Sequence, residues 1–326
     1  MLQYYIFQNF IDIIIAVFID FLIGDPYGFP HPIIYIGKLI SFLEKRFRKI
    51  SKSNNSLKYF GGAIVLIVAF VSFMVPFIIL KFLRINFYLY HGVNIIIIWT
   101  TLSAKCLAKE ALKVYYALKE NDIEKARLKL SYIVGRDTTS LREDEIIRAD
   151  VETVAENTSD GIIAPLFYAI LGGAPLAMMY KGINTMDSML GYLTAKYKYI
   201  GFFPAKVDDV FNFIPARITG ILMCLVSPIT SGNIFTSFKI MIRDRKNHKS
   251  PNCAYPESAT AGALNIELGG TNVYFGEVIE KPTMGDRKKE LNKIHIKESI
   301  KVLYASEILM LIFYGLSVFG CYRLMN

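Results

Sequence analysis

The stretch that decides the fold class is Gly61 to Leu80, GGAIVLIVAFVSFMVPFIIL, an apolar run that contains no charged residue. A helix rises about 1.5 Å per residue, so a run of this length covers the roughly 30 Å of a bilayer's hydrocarbon core. Five further runs flank it: Ile11 to Ile23, Val93 to Leu102 with its flanks, Gly161 to Tyr180, Val210 to Ile229 and Val302 to Tyr322. Of the 326 residues, 53% are hydrophobic, and mean hydropathy is +0.36, above the usual soluble range. The expected class is all-α: a polytopic helical membrane protein forming a single integral-membrane domain over 1–326. Its cytosolic segments are expected at about 38–60, 105–160 and 230–302.

Charge placement sets the orientation. The net charge of +9 would suit nucleic acid, but the basic residues sit beside apolar runs and form no nucleic-acid motif. Lys38, Lys45, Arg46, Arg48, Lys49, Lys52 and Lys58 fall between the first two spans, which puts that loop inside and the N-terminus outside. No basic segment precedes Ile11 and no small-residue cleavage site follows Ile23, so the first run is expected to be a retained helix. Cys106, Cys224, Cys253 and Cys321 are scattered without a C-x-x-C pair, which argues against a disulfide framework or a zinc site. Walker A, dinucleotide-binding, G-x-S-x-G and H-E-x-x-H motifs are absent.

Between the spans lie polar clusters. Leu107, Ala111, Val114, Tyr115 and Leu118 recur at helical spacing, and a second helix is expected over Asp122 to Tyr132. Ser140 with Glu143 reads as a capping box starting a helix from Leu141 to about Asn157. On that helix Glu145, Arg148, Glu152 and Glu156 share a face. They read either as a solvated salt-bridge stripe or, with Asp160, as oxygen ligands for magnesium.

Further along, Lys181, Asn184, Thr185, Asp187 and Ser188 take one arc of a helix, and Ile183, Met186, Met189, Leu190 and Leu193 take the other. Ionisable groups at membrane depth are costly and point to function, whereas an interfacial helix would carry them cheaply. Near the N-terminus, Gly24-Asp25-Pro26 and Pro30-His31-Pro32 form a rigid turn, with Asp25 the better functional candidate and His31 a structural one. Arg217 either snorkels to the interface or clamps a phosphate or carboxylate. Finally, Arg243-Asp244-Arg245, His248, Ser250-Pro251-Asn252, Pro256-Glu257-Ser258-Ala259, Ala261-Gly262-Ala263-Leu264 and Leu268-Gly269-Gly270 read as one loop rich in cations, turns and small residues. Such a loop suits phosphate and a polar substrate, or serves as a basic connector.

In this order the clusters resemble one family, the adenosylcobinamide-phosphate synthases of cobalamin biosynthesis. The resemblance rests on Asp20 with Gly24-Asp25-Pro26 and His31-Pro32, Val134-Gly135-Arg136-Asp137, and Glu152-Thr153-Val154-Ala155-Glu156-Asn157 with Asp160-Gly161. It continues through Lys181 with Asn184-Thr185-Met186-Asp187-Ser188-Met189, Phe213-Ile214-Pro215-Ala216-Arg217 and the Arg243 to Gly270 stretch. It spans nearly the whole chain. Cys253-Ala254-Tyr255 and Thr271-Asn272 depart from the pattern without removing a charged position.

The resemblance implies a carbon–nitrogen ligase that joins adenosylcobyric acid to (R)-1-amino-2-propanol or its phosphate, driven by ATP with Mg2+. Arg136, Lys181, Arg243 and Arg245 are then expected on phosphates, and Asn184, Ser188, Arg217, Asn252 and Asp25 on substrate. Asp137, Glu152, Glu156 and Asp160 would serve magnesium, Asp187 would serve magnesium or pair with a lysine, and His248 or Glu257 would be the base. Partners are the two substrates and the lipid bilayer, with no nucleic acid and with other corrinoid enzymes as possible associates. The expected location is the cell membrane, multi-pass, with the active site on the cytoplasmic side. Two full crossings at Gly161 to Tyr180 and Val210 to Ile229 would strand Lys181 to Asp209 outside. Broken or re-entrant helices are therefore expected there, interrupted at Pro165, Gly172-Gly173, Pro175 and Pro215. The competing reading is a polytopic corrinoid transporter, whose broken helices and midplane charges look alike. A scaffold for neighbouring enzymes would leave the charged clusters without a purpose.

Overall fold

The computed structural model describes residues 2–26, 28–192, 194–274 and 277–324. The helices are α1 (Leu2–Ile23), α2 (Pro32–Ile50), α3 (Asn54–Leu83), α4 (Phe87–Trp99), α5 (Ala104–Lys119), α6 (Ile123–Leu130) and α7 (Glu143–Thr158). After a π turn at Ser159–Ile163 come α8 (Ala164–Leu190), α9 (Phe202–Phe211), α10 (Phe213–Val226), α11 (Ile234–Asp244), α12 (Ala254–Leu264) and α13 (Ile294–Leu324). The only sheet among the described residues is the antiparallel pair β1 (Glu267–Tyr274) and β2 (Glu277–Gly285). The protein is thus helical as expected. Among the described residues, four helical stretches are long and apolar enough to cross a membrane, or five if α9 and α10 form one bent span. The break between those two falls at Asn212 rather than at Pro215, because a proline in a helix's first turn costs no hydrogen bond. At 13 residues, α4 covers only about 20 Å and is too short to cross alone.

The chain forms two compact units. The first comprises 1–103, 164–212 and 314–326, and the second 104–163 and 213–313. In the first unit, Ile40, Ile64, Val68, Ile183, Met186 and Leu190 form the core between α2, α3 and α8. Gly61 lets α3 approach the Ile200 carbonyl, where a Cβ would sit 2.1 Å from the oxygen. Outward-facing Leu66, Phe70 and Phe82 leave α3 with the apolar exterior that a lipid-facing helix needs. In the second unit, Met223, Cys224, Met241, Ala259, Ala263 and Val302 join α10, α11, α12 and α13.

Two local expectations are corrected. The Arg243 to Gly270 stretch is not one loop: Ala254–Leu264 is helical, fully buried over most of its length, and the chain then enters β1. Ala-rich sequence favours helix, and Pro256 falls in the first turn where it is tolerated. The capping contact of α7 lies two residues later than Ser140–Glu143. The chain turns at Thr138–Leu141, and Arg142 N–H donates to Glu145 Oε2 at 2.8 Å.

Candidate active site

The Lys181 to Leu190 half of α8 behaves as its pattern requires. Ile183, Met186 and Leu190 are buried, Lys181, Asn184, Thr185 and Asp187 are partly buried, and Ser188 is exposed. Leu193 lies outside the described residues. Thr185 and Ser188 bond the Lys181 and Asn184 carbonyls of their own helix at 2.7 and 3.0 Å.

Asn184 reaches beyond its helix: its Nδ2 donates to Asp208 Oδ1 at 3.4 Å. Asn212 Nδ2 donates to the other Asp208 oxygen at 3.0 Å, and Tyr180 Oη donates to Asn212 Oδ1 at 2.7 Å. Tyr168 stacks on Tyr180 with centroids 5.1 Å apart and donates to the Phe211 carbonyl. In the sequence Asp208 stands beside Asp209. Asn212 is the i+4 neighbour of Asp208 at the end of α9, whereas Asn184 on α8 is 24 residues away, too far along the chain for spacing to reveal. Asp25, in the same unit, lies 3.6 Å from His31 Nε2. His31 caps α2 by accepting the Ile33 N–H, the structural role its turn suggested.

The second unit holds the remaining candidates. Glu152 is buried rather than on a solvated stripe: Arg136 pairs with it at 2.5 Å, Gly269 N–H donates to it at 2.8 Å, and Arg148 lies 4.0 Å away. Gly269 has φ +84°, and a Cβ there would meet the Pro282 carbonyl at 2.5 Å, so the bulge that delivers this N–H requires glycine. Asp137 closes a turn onto Thr139, whose N–H and hydroxyl hold its carboxylate below the ordinary range.

Glu156 accepts from the Cys253 thiol at 3.1 Å. Burial pushes that thiol well up, and the nearby charges of Glu156, Glu257 and Asp160 push it further. The π turn carrying Asp160 is the kind of helix defect often found at functional sites. Among the described residues no group of three His, Cys, Asp or Glu can hold a metal alone.

The arginines divide by occupation. Arg243 forks onto Asp244 with two bonds of 2.7 Å and reaches Asp286 at 2.7 Å and the Gly285 carbonyl at 3.1 Å. Those bonds raise its pKa. Burial lifts the Asp244 carboxyl, but Arg243 and the Gly285 N–H outweigh it, so its pKa lies below the ordinary value. Arg245 bonds the Ile242 carbonyl. Arg217 lies between the Phe213 and Tyr255 rings, 3.5 and 4.4 Å from their centroids, and donates to Asn252 Oδ1 at 3.2 Å. His248 Nδ1 accepts the Ser250 N–H at 3.0 Å, so a neutral ring carries its proton on Nε2 and presents a donor there. Glu257 is 3% exposed and lies on the first turn of α12.

Residues 13–303 match the family model described as CobD/Cbib protein. The chain belongs to the CobD/CbiB family.

Its relatives include the cobalamin biosynthesis protein CobD of Clostridium tetani, 66% identical over 95% of this chain and 98% of that one. CobD of Clostridium acetobutylicum is 67% identical over 93% and 96%, and CbiB of Salmonella typhi 44% identical over 91% and 93%. No solved structure matches the chain. The CobD/CbiB match takes in both polar clusters, and it places the chain in a cobalamin biosynthesis family of the enzyme type.

Proposed function

We propose that this CobD/CbiB chain is a membrane ligase that joins adenosylcobyric acid to (R)-1-amino-2-propanol or its phosphate, using ATP, on the cytoplasmic side. The observation that carries the reading is the gathering of Glu156, Asp160 and Glu257 around Cys253 in the second unit. Like charges brought together cost stability and so mark a site with work to do.

In the proposed chemistry a corrin propionate oxygen attacks the γ-phosphorus of ATP, ADP leaves, and an acyl phosphate forms. The neutral amine then attacks the acyl carbonyl, phosphate departs, and the nitrogen loses a proton. The protein's tasks are positioning and charge neutralisation. Glu257, a buried carboxylate, suits the base, whereas His248 is set as a donor. Arg217 suits a phosphate or carboxylate, since its guanidinium is held in place by the Phe213 and Tyr255 rings and by Asn252. Arg136 and Arg243 act by fixing Glu152 and Asp244. Lys181, Arg245, Asn184, Asp187 and Ser188 remain proposed substrate contacts.

Magnesium would enter with the nucleotide. Held by one or two carboxylates, it would supply charge neutralisation for the transferring phosphoryl group. Glu156 and Asp160 fit that demand. Asp137 and Glu152 already have partners in a turn and an ion pair.

The test is turnover by purified protein given adenosylcobyric acid, magnesium ATP and each amine in turn, with product followed by mass spectrometry. The expected result is an amide product with stoichiometric ADP, and losses of about a hundredfold or more in kcat for Glu156→Gln and Glu257→Gln. Absence of product with either amine overturns the ligase. The broken α8 also suits a corrinoid transporter, and corrinoid uptake into vesicles without amide formation would establish that instead.

A further inference from the structure

The first unit contains a cavity of about 230 Å³ that no step of the proposed ligation uses. Its walls are the C-terminal end of α3, with Phe73, Phe77, Lys81 and Arg84, together with Asn94 of α4 and the Gly172-Gly173 break in α8. Counting along α8, Gly173 is about 21 Å from Asp187, so the cavity is separate from the polar arc.

Three features of these walls point to one ligand chemistry. Lys81 and Arg84 are exposed, and neither has an ion pair or hydrogen bond among the described residues. Gly173, at φ 65° and ψ −161°, adopts a backbone that an L side chain resists, and the second half of α8 starts afresh there. That start brings the positive end of a half-helix to the cavity wall.

Asn94 is held in place from behind. Its Nδ2 donates to Asp12 at 2.7 Å, and its Oδ1 accepts the Ala174 N–H at 3.4 Å. The Asp12 carboxylate is itself taken up by His91 at 2.8 Å, and the cavity is lined by Asn94 and not by Asp12. Basic residues at a helix C-terminus are common on dipole grounds alone. That does not account for a second helix broken against them, or for the Phe73 and Phe77 rings, stacked 5.7 Å apart, on the same wall.

We infer that this cavity binds a phosphate group, with Lys81 and Arg84 as its cationic contacts and the phenylalanine wall accepting an attached acyl chain. The phosphate is supplied either by a membrane lipid headgroup or free in solution. Two cations on a wet rim match a phosphate's charge, and an apolar wall beside them matches the tail of an anionic lipid.

The experiment uses the full chain in neutral detergent and follows thermal unfolding during titration with three probes: phosphatidic acid, diacylglycerol with the same tails, and inorganic phosphate. Lys81→Gln/Arg84→Gln is compared with wild type, and Lys81→Arg/Arg84→Lys preserves charge. Phosphatidic acid should stabilise the wild type where diacylglycerol does not, with half-saturation about tenfold weaker in the glutamine variant and near wild type in the charge-preserving one. Stabilisation by inorganic phosphate as well assigns the free source. Stabilisation by phosphatidic acid alone assigns the lipid. Equal response of wild type and the glutamine variant, or no response to either phosphate probe, overturns the site. None of these readouts depends on turnover, so the ligase reading stands or falls separately.

Discussion

Arg136 and Glu152 form an ion pair at 2.5 Å with side chains only 7% and 5% exposed, and the same carboxylate accepts the Gly269 N–H. The pair ties the segment before α7 to α7 itself and to the bulge of β1. Removing one partner of such a pair strands a buried charge, which costs about 3–5 kcal/mol. Glu152→Ala should therefore lower stability by about that amount, measured by chemical unfolding in detergent. The gap from wild type should be the same in EDTA and in excess magnesium. A gap that opens only with magnesium would return Glu152 to the metal.

The arc on α8 was legible because burial enforces it: a half-apolar helix shows its period in sequence. The break at Gly172-Gly173 was legible for a similar reason, since adjacent glycines remove the Cβ atoms that hold a helix to its dihedrals. The helix Ala254–Leu264 was hidden because Pro256 and Gly262 count as breakers when read alone. In the fold, Pro256 sits in the first turn, and Gly262 lets α12 pack against Ser237 of α11, where a Cβ would be 2.8 Å from its Cα. Asp208 and Tyr180 owe their prominence to each other's neighbourhood, which no local pattern encodes. The Arg136–Glu152 pair was visible as two motif members, but its burial was not.

Gly269 supplies a second test of the same junction. Its left-handed φ and its contact with the Pro282 carbonyl both exclude a side chain. Gly269→Ala should cost about 2 kcal/mol or more, from backbone strain and displacement of the N–H that Glu152 accepts. Hydrogen exchange should rise in the strand pair and in α7. Protection unchanged in α7 would mean that the Gly269 contact carries little weight.

Tyr180 links the aromatic stack to the Asp208 carboxylate through Asn212, with every side chain in that chain of contacts buried or partly buried. Tyr180→Phe keeps the ring stacked on Tyr168 and removes only the hydroxyl, leaving Asn212 Oδ1 short of a donor. The expected cost is about 1–2 kcal/mol of stability. If the network positions substrate, kcat should fall by more than the folded fraction does. A variant with normal kcat per folded molecule would confine Tyr180 to a structural role.

Ser188 is exposed on the polar arc, and its side of the membrane decides whether that arc can meet cytosolic nucleotide. With Ser188→Cys in a background lacking the native cysteines, an impermeant maleimide should label only inverted vesicles or opened cells. Modification from outside intact cells would refute the cytosolic arc and with it the role given to Lys181.

Cys253 gives the pH-dependent test. Its thiol is raised above the ordinary value of 9.0 by burial and by the charges of Glu156, Glu257 and Asp160. A raised thiol favours the protonated form in the folded protein. Its contribution to stability is therefore complete below the ordinary thiol range and is lost as pH climbs toward the folded pKa. The thiolate is the nucleophile, so alkylation of Cys253 at pH 8 should be far slower than that of exposed Cys321 in the same molecules. Glu156→Gln removes the first of those charges while its amide oxygen can still accept the thiol, and should speed Cys253 alkylation while leaving Cys321 unchanged. Peptide mass spectrometry after timed iodoacetamide exposure reads both sites at once. A Cys253 rate that matches Cys321 in wild type, or that ignores Glu156→Gln, would remove the clustered carboxylates from the candidate site.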